Sequence, residues 1–182
     1  NYLVLKPLLK VEHEELSCCI HTGPIKNAYL NNIITEIFAS DVLAVAPGAN
    51  WPGKKWPAEL YGKLILELLK INRFRYVVIL GDEYDLTDNL KIPKTDKVKD
   101  LRGQTNLKEA SAILSKADAF IGNDSGLGHI AAAVGTKTLT LFGPGNPIRY
   151  RPWGQQNRIV IAPNKNLSEL TVSQVISELK KL

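Results

Sequence analysis

Short apolar runs alternate with amphipathic stretches along most of this chain. Val42–Ala46, Tyr76–Leu80, Ala119–Ile121, Thr138–Phe142 and Arg158–Ile161 are brief, apolar and mostly closed by Gly or Pro, so they predict strands. Between them, apolar residues recur at helical spacing. Leu60, Leu64, Leu68 and Leu69 mark one face of a helix over Pro57–Leu69, with Pro57 in the first turn, where a missing N–H costs nothing. Leu107, Ala110, Ile113 and Leu114 do the same for Leu107–Lys116. Leu127–Val134 is a helix of small residues, and Leu167–Leu182 closes the chain with Val172, Val175, Ile176 and Leu179 inward. The start is less regular. Ile33, Ile34, Ile37 and Phe38 suit a helix over Ile25–Phe38, Leu16–His21 suits a short strand, and Asn1–Lys10 suits a helix end. Asp82–Lys99 is polar and irregular, with at most a short helix.

Strand, helix, strand, helix in sequence predicts an α/β fold, a Rossmann-like doubly wound parallel sheet with helices on its faces. Strands that are apolar throughout, not alternately, agree with burial on both faces. The regular pattern begins at Asp41, so 41–182 reads as the domain and 1–40 as an extension or the remnant of an interdomain connection. In such folds ligands bind beyond the carboxyl ends of the strands, which directs attention to the loops there.

Composition narrows the classes. With 45% hydrophobic and 23% charged residues the 182-residue chain is neither disordered nor fibrous. No apolar run reaches the roughly 18–20 residues a membrane-spanning helix needs, and no signal peptide is apparent. The 23 basic and 18 acidic residues leave a net charge of +5. That excess suits a solvated surface or an anionic small partner. Without an Arg-rich run or zinc-finger spacing, nucleic acid is not an expected partner. Cys18 and Cys19 are adjacent, outside any Cys-x-x-Cys pattern, and read as buried or half-buried thiols in a reducing compartment. The chain opens at Asn1 and contains no Met, which predicts a fragment of a longer protein.

Three loops carry candidate chemistry. Pro47-Gly48-Ala49-Asn50-Trp51-Pro52-Gly53-Lys54-Lys55-Trp56-Pro57 places glycines and two lysines just before a helix. Glycines let backbone approach a ligand, and lysine is a compact point charge for phosphate oxygens. Gly122-Asn123-Asp124-Ser125-Gly126-Leu127-Gly128-His129 is a strand-to-helix turn whose free N–H groups suit an anion. It is neither a Gly-x-Gly-x-x-Gly fingerprint nor a Walker loop, and Ser125 sits wrongly for Gly-x-Ser-x-Gly. The third loop, Gly143-Pro144-Gly145-Asn146-Pro147 with Arg149-Tyr150-Arg151-Pro152-Trp153, offers two Arg and two aromatics to a polar ligand.

Together these segments resemble glycosyltransferase family nine, the ADP-heptose:lipopolysaccharide heptosyltransferases. The first loop is similar to the family's Pro-Gly-Ala…Lys-x-Trp-Pro stretch. The second is similar to its Asp-Ser/Thr-Gly-x-x-His hallmark, and Leu141-Phe142-Gly143-Pro144 with Asn146-Pro147 to its Phe-Gly-Pro-Thr-Asp-Pro loop. Gly103-Gln104-Thr105-Asn106-Leu107 is similar to its Gly-x-Thr-x-Leu segment. The likeness runs from about Asp41 to Trp153; Asn50, Gly128 and Asn146 depart from the family's common residues.

The resemblance implies the C-terminal, donor-binding domain of a two-domain GT-B enzyme that transfers heptose, with inversion, from ADP-heptose to a lipopolysaccharide inner-core acceptor. Lys54 and Asp124 would be the catalytic pair, Lys54 at the sugar or diphosphate and Asp124 at the heptose hydroxyls. Asn50 would belong to the binding set. Asp85, in preference to Glu83, would meet the ribose, and Thr105 the adenine. Ser125, Gly126 and His129 would face the diphosphate. The general base would lie in an N-terminal domain outside this sequence. No metal or cofactor is implied beyond the donor substrate. The location would be cytoplasmic, with peripheral contact at the inner membrane. A non-catalytic nucleotide-sugar-binding module and an epimerase-like enzyme are the alternatives.

Overall fold

In a computed structural model the chain is described for residues 19–87, 90–154 and 156–182. Six parallel strands form one sheet in the order β3-β2-β1-β4-β5-β6. They are β1 (Val42–Ala46), β2 (Tyr76–Ile79), β3 (Val98–Asp100), β4 (Ala119–Asn123), β5 (Lys137–Phe142) and β6 (Asn157–Ile161). The helices are α1 (Ala28–Ile37), α2 (Ala58–Lys70), α3 (Leu107–Leu114), α4 (Gly126–Ala133), the single turn α5 (Pro147–Tyr150) and α6 (Val172–Leu179). The order reverses direction between β1 and β4, so the adjoining loops diverge and leave a crevice at their carboxyl ends.

Period-two alternation sends successive strand residues to opposite faces, and both faces are covered. Leu43, Val45, Ile121, Leu139 and Leu141 pack with Tyr61, Leu64, Ile65 and Leu68 of α2 and Val175 and Leu179 of α6. Val42, Ala44, Ala46 and Phe120 pack with α1, α3 and α4 on the other side. Residues 28–37, in the stretch expected as an extension or connection, form α1 and bury Leu30, Ile33, Ile34 and Ile37 in that second core.

Several expectations shift. Val98–Asp100 is a strand that begins at the end of the stretch expected to be irregular; it is a half-buried edge strand, whose composition is naturally polar. The short helix expected there is a 3-10 turn, Tyr84–Thr87. β4 continues through Gly122 to Asn123, which pairs with Leu141. Pro57 is the N-cap of α2, one place before the first turn. The closing helix starts at Val172 because a Thr171–Gln174 capping box fixes its start. Before it, Leu167–Glu169 form a 3-10 turn and Leu170 is extended, with ψ of 117°, which no continuous α-helix accepts. Cys19–His21 are in no strand, and Cys19 is exposed where burial was expected, because this segment runs over the surface with the Ile20 N–H on Ala133 O. Cys18, Leu16–Ser17 and Asn1–Lys10 lie outside the described residues.

Candidate functional site

Asn123, at the end of β4, organises the carboxyl edge of the sheet. Its side chain is fully buried. The carbonyl oxygen accepts from the Trp56 N–H at 3.0 Å and the Tyr61 hydroxyl at 3.0 Å, while the amide donates to Pro47 O at 2.6 Å. One residue thereby ties the loop after β1 and the start of α2 to β4. Trp56 extends the clamp: its indole N–H donates to Leu170 O at 2.9 Å and its ring meets Tyr61 edge-on, 4.8 Å between centroids. Burial raises the Tyr61 phenol well above its ordinary value. The sequence reading assigned Asn123 no role; only its place at a strand end beside Asp124 hinted at one.

Two lysine–carboxylate pairs follow from this frame. Lys54 Nζ donates to Asp124 Oδ2 at 2.6 Å. Lys55 Nζ lies 3.4 Å from Asp85 Oδ1. In both pairs the acid is the more buried partner, with side-chain exposures of 28% against 7% and 26% against 11%. Neighbouring glycines make room for the acids. A Cβ at Gly48 would sit 2.1 Å from Asp85 Oδ2, one at Gly81 2.7 Å from the same atom, and one at Gly145 2.9 Å from Asp124 Oδ2. Arg102 anchors the Asp85 turn: its guanidinium grips Asp100 at 2.9 and 2.8 Å and donates to Asp85 O at 2.6 Å.

Beside these pairs lies a cleft of about 670 Å³, a size that suits a nucleotide-sized ligand. Its lining includes Gly48, Asn50, Lys55, Asp85, Thr105, Ser125 and Gly126, drawn from the ends of β1, β2, β3 and β4. Tyr84, Leu107, Ala110, Leu127 and Ile130 give it an apolar wall that the sequence reading missed, because it combines a 3-10 turn with two helices distant in sequence. Ser125 is the N-cap of α4 but makes no side-chain cap bond, and a Cβ at Gly126 would have nothing within 4 Å. The first turn of α4 therefore opens onto the cleft as an anion seat.

Of the residues singled out in the sequence, Asn50, Asp85, Thr105, Ser125 and Gly126 line the cleft. Lys54 and Asp124 form their pair next to it and are not part of its lining. His129 is exposed and outside the lining, because α4 turns Leu127 and Ile130 to the cleft instead. Glu83 is likewise exposed and outside it. Among the described residues, no group of three or more His, Cys, Asp or Glu could hold a metal ion, and no helix is long and apolar enough to cross a membrane.

A family profile described as glycosyltransferase family 9 (heptosyltransferase) matches residues 8–179. Lipooligosaccharide heptosyltransferase 2 of Haemophilus influenzae is 32% identical over 156 residues, which cover 82% of this chain and 42% of that protein. The solved structure of E. coli ADP-heptose lipopolysaccharide heptosyltransferase II superposes with a TM-score of 0.72 at 26% identity, covering 88% of this chain and 52% of that one. A family 9 glycosyltransferase from Veillonella parvula shares the fold at a TM-score of 0.79 and 19% identity, covering 99% and 58%. The chain thus spans about half the length of these relatives.

Proposed function

We propose, from the premise that this chain belongs to glycosyltransferase family 9, that it is the donor-binding half of a heptosyltransferase and takes ADP-heptose in its cleft. The observation that carries this reading is the line of groups along the carboxyl edge of the sheet. The apolar wall of Tyr84, Leu107 and Ile130, with Thr105, suits a flat base at the β3 end. Asp85 suits ribose hydroxyls. Lys55, Ser125 and the first N–H groups of α4 suit a diphosphate. The Lys54–Asp124 pair then suits the sugar, with the carboxylate accepting from hydroxyls and the ammonium facing the phosphate oxygen that leaves.

In this reading an acceptor hydroxyl attacks the anomeric carbon from the face opposite the diphosphate. The new carbon–oxygen bond forms as the bond to the β-phosphate oxygen breaks, and that oxygen leaves with the electron pair. Lys54 and the α4 N–H groups stabilise the growing negative charge without reorganising, which is where such sites lower barriers most. The proton passes to a general base supplied by the acceptor-binding half. The acceptor is an inner-core lipopolysaccharide sugar, and the location is cytoplasmic with peripheral inner-membrane contact. Exposed Arg149, Arg151 and Trp153 support an anionic interface. His129 has a lesser part in this account than Ser125, since it stands outside the cleft. The family match does not favour the epimerase-like alternative.

Thermal denaturation in the presence of ADP, UDP or NAD tests the reading. ADP at a hundredfold excess over its Kd adds about 2.7 kcal/mol, enough to raise Tm by several degrees. UDP, which lacks the adenine, leaves Tm unchanged. A shift with UDP alone, or with none of the three, contradicts the assignment.

A further inference from the structure

We infer that Tyr150 is a positioning residue for Lys54 at the sugar end of the donor site. The inference rests on the donor-site reading above and adds a residue from the loop after β5. That loop is built around the Lys54–Asp124 pair. The chain passes Asp124 so closely at Gly145 that a Cβ there would stand 2.9 Å from the carboxylate. Asn146 then caps α5, its side-chain oxygen accepting from the Ile148 N–H at 3.0 Å, while its carbonyl accepts from the Arg149 and Tyr150 N–H groups. Two backbone bonds and a side-chain cap thus fix where Tyr150 starts. Its ring ends with Lys54 Nζ 5.5 Å from the centroid, and the Arg149 guanidinium 5.4 Å from it. Tyr150 is 43% exposed, so it is not a core aromatic whose place is set by packing.

Chemistry gives this contact a purpose. In the free protein the 2.6 Å hydrogen bond to Asp124 is the stronger hold on Lys54. Sugar hydroxyls arriving at the carboxylate compete for the same oxygen atoms. A lysine with no second attractor would then swing into water on its flexible stem. The π face of Tyr150 attracts the ammonium without offering it a hydrogen-bond acceptor, so it retains Lys54 at the anomeric end while leaving its N–H groups for the ligand. The order of strands agrees: the base side of the cleft lies at β3 and β2, and β5 is the next strand beyond β4, which carries Asp124.

Calorimetric titration of the chain with ADP and with ADP-heptose tests this, using Tyr150→Phe, Tyr150→Leu, and Lys54→Gln with and without Tyr150→Leu. Tyr150→Leu weakens ADP-heptose about three- to fivefold, as loss of a partly exposed cation–π contact requires, and leaves ADP unchanged. Tyr150→Phe keeps wild-type affinity for both, because the ring face and not the hydroxyl acts. In the Lys54→Gln background, Tyr150→Leu has no further effect. Equal weakening of ADP and ADP-heptose by Tyr150→Leu, or failure of Tyr150→Phe to restore binding, overturns the inference. A wild-type chain that binds ADP but gains nothing from the heptose also overturns it, while leaving the nucleotide part of the donor site intact. A chain that binds neither refutes the donor-site reading itself.

Discussion

Asn123 and Tyr61 lie beneath the site and touch no space a ligand could fill, yet the loop after β1 depends on them. The Tyr61 hydroxyl donates to Asn123 Oδ1, which also holds the Trp56 N–H. Burial keeps the phenol protonated beyond its ordinary value of 10.0. The unfolded chain releases that proton at the ordinary value and the folded chain does not, so above about pH 10 the unfolded state gains and stability falls. Tyr61→Phe is expected to cost about 1 kcal/mol at neutral pH through the lost hydrogen bond. Its deficit against wild type should shrink as pH rises past 10, since only wild type carries the titrating group. Urea melts of both proteins from pH 7 to 11 measure this; a constant gap contradicts it. None of this was legible in the sequence, where Asn123 is one letter in a polar loop. Gly48 and Gly81 were legible as turn residues, but their reason is the Asp85 carboxylate pressed against both.

Helix α4 brings its first turn to the cleft because small residues let it lie close to β4 and β5: Gly128, Ala131 and Ala133 are all buried. The small-residue run was legible, and so was the start of the helix at the end of β4, where Ser125 and Gly126 line the cleft. Which side faced the cleft was not, since α4 is apolar nearly all round and no stripe identifies its faces; the one-turn spacing from Ser125 does not bring His129 into the cleft lining. Beneath Gly128 lies Thr140 Oγ1, buried with no hydrogen-bond partner among the described residues. A Cβ at 128 would meet Phe120 and Thr140 at 3.6 Å and Pro152 at 3.7 Å, ordinary contact distances. Gly128→Ala should therefore stabilise the chain by about 0.5–1 kcal/mol through helix propensity. Serine is a poorer helix former than alanine, so Gly128→Ser should match or exceed that gain only by giving Thr140 a partner. Chemical denaturation of the two variants decides; destabilisation by Ala would show that α4 lies closer to the sheet than described. Strand β3 escaped the sequence reading for a different reason: three half-buried residues at a sheet edge, two of them charged, carry no hydrophobic signature.

At the scale of the whole molecule, alternation of apolar runs and amphipathic helices sufficed for the α/β class, and turn residues sufficed to locate the carboxyl ends of the strands. A doubly wound sheet implies a reversal of strand order, but its place between β1 and β4 was not legible, because it depends on long-range pairing. That reversal makes the cleft, and it brings Lys54 to Asp124 across 70 positions of sequence. In the proposed function a nucleotide lies along this edge, base toward β3 and phosphates on α4. The most direct measurement is an amide NMR titration of the isotope-labelled chain with ADP. Saturable shifts are expected at Gly81, Thr105, Ser125 and Gly126, with α6 silent. No shift at saturating ADP, or shifts confined to residues away from the carboxyl ends of the strands, would contradict it.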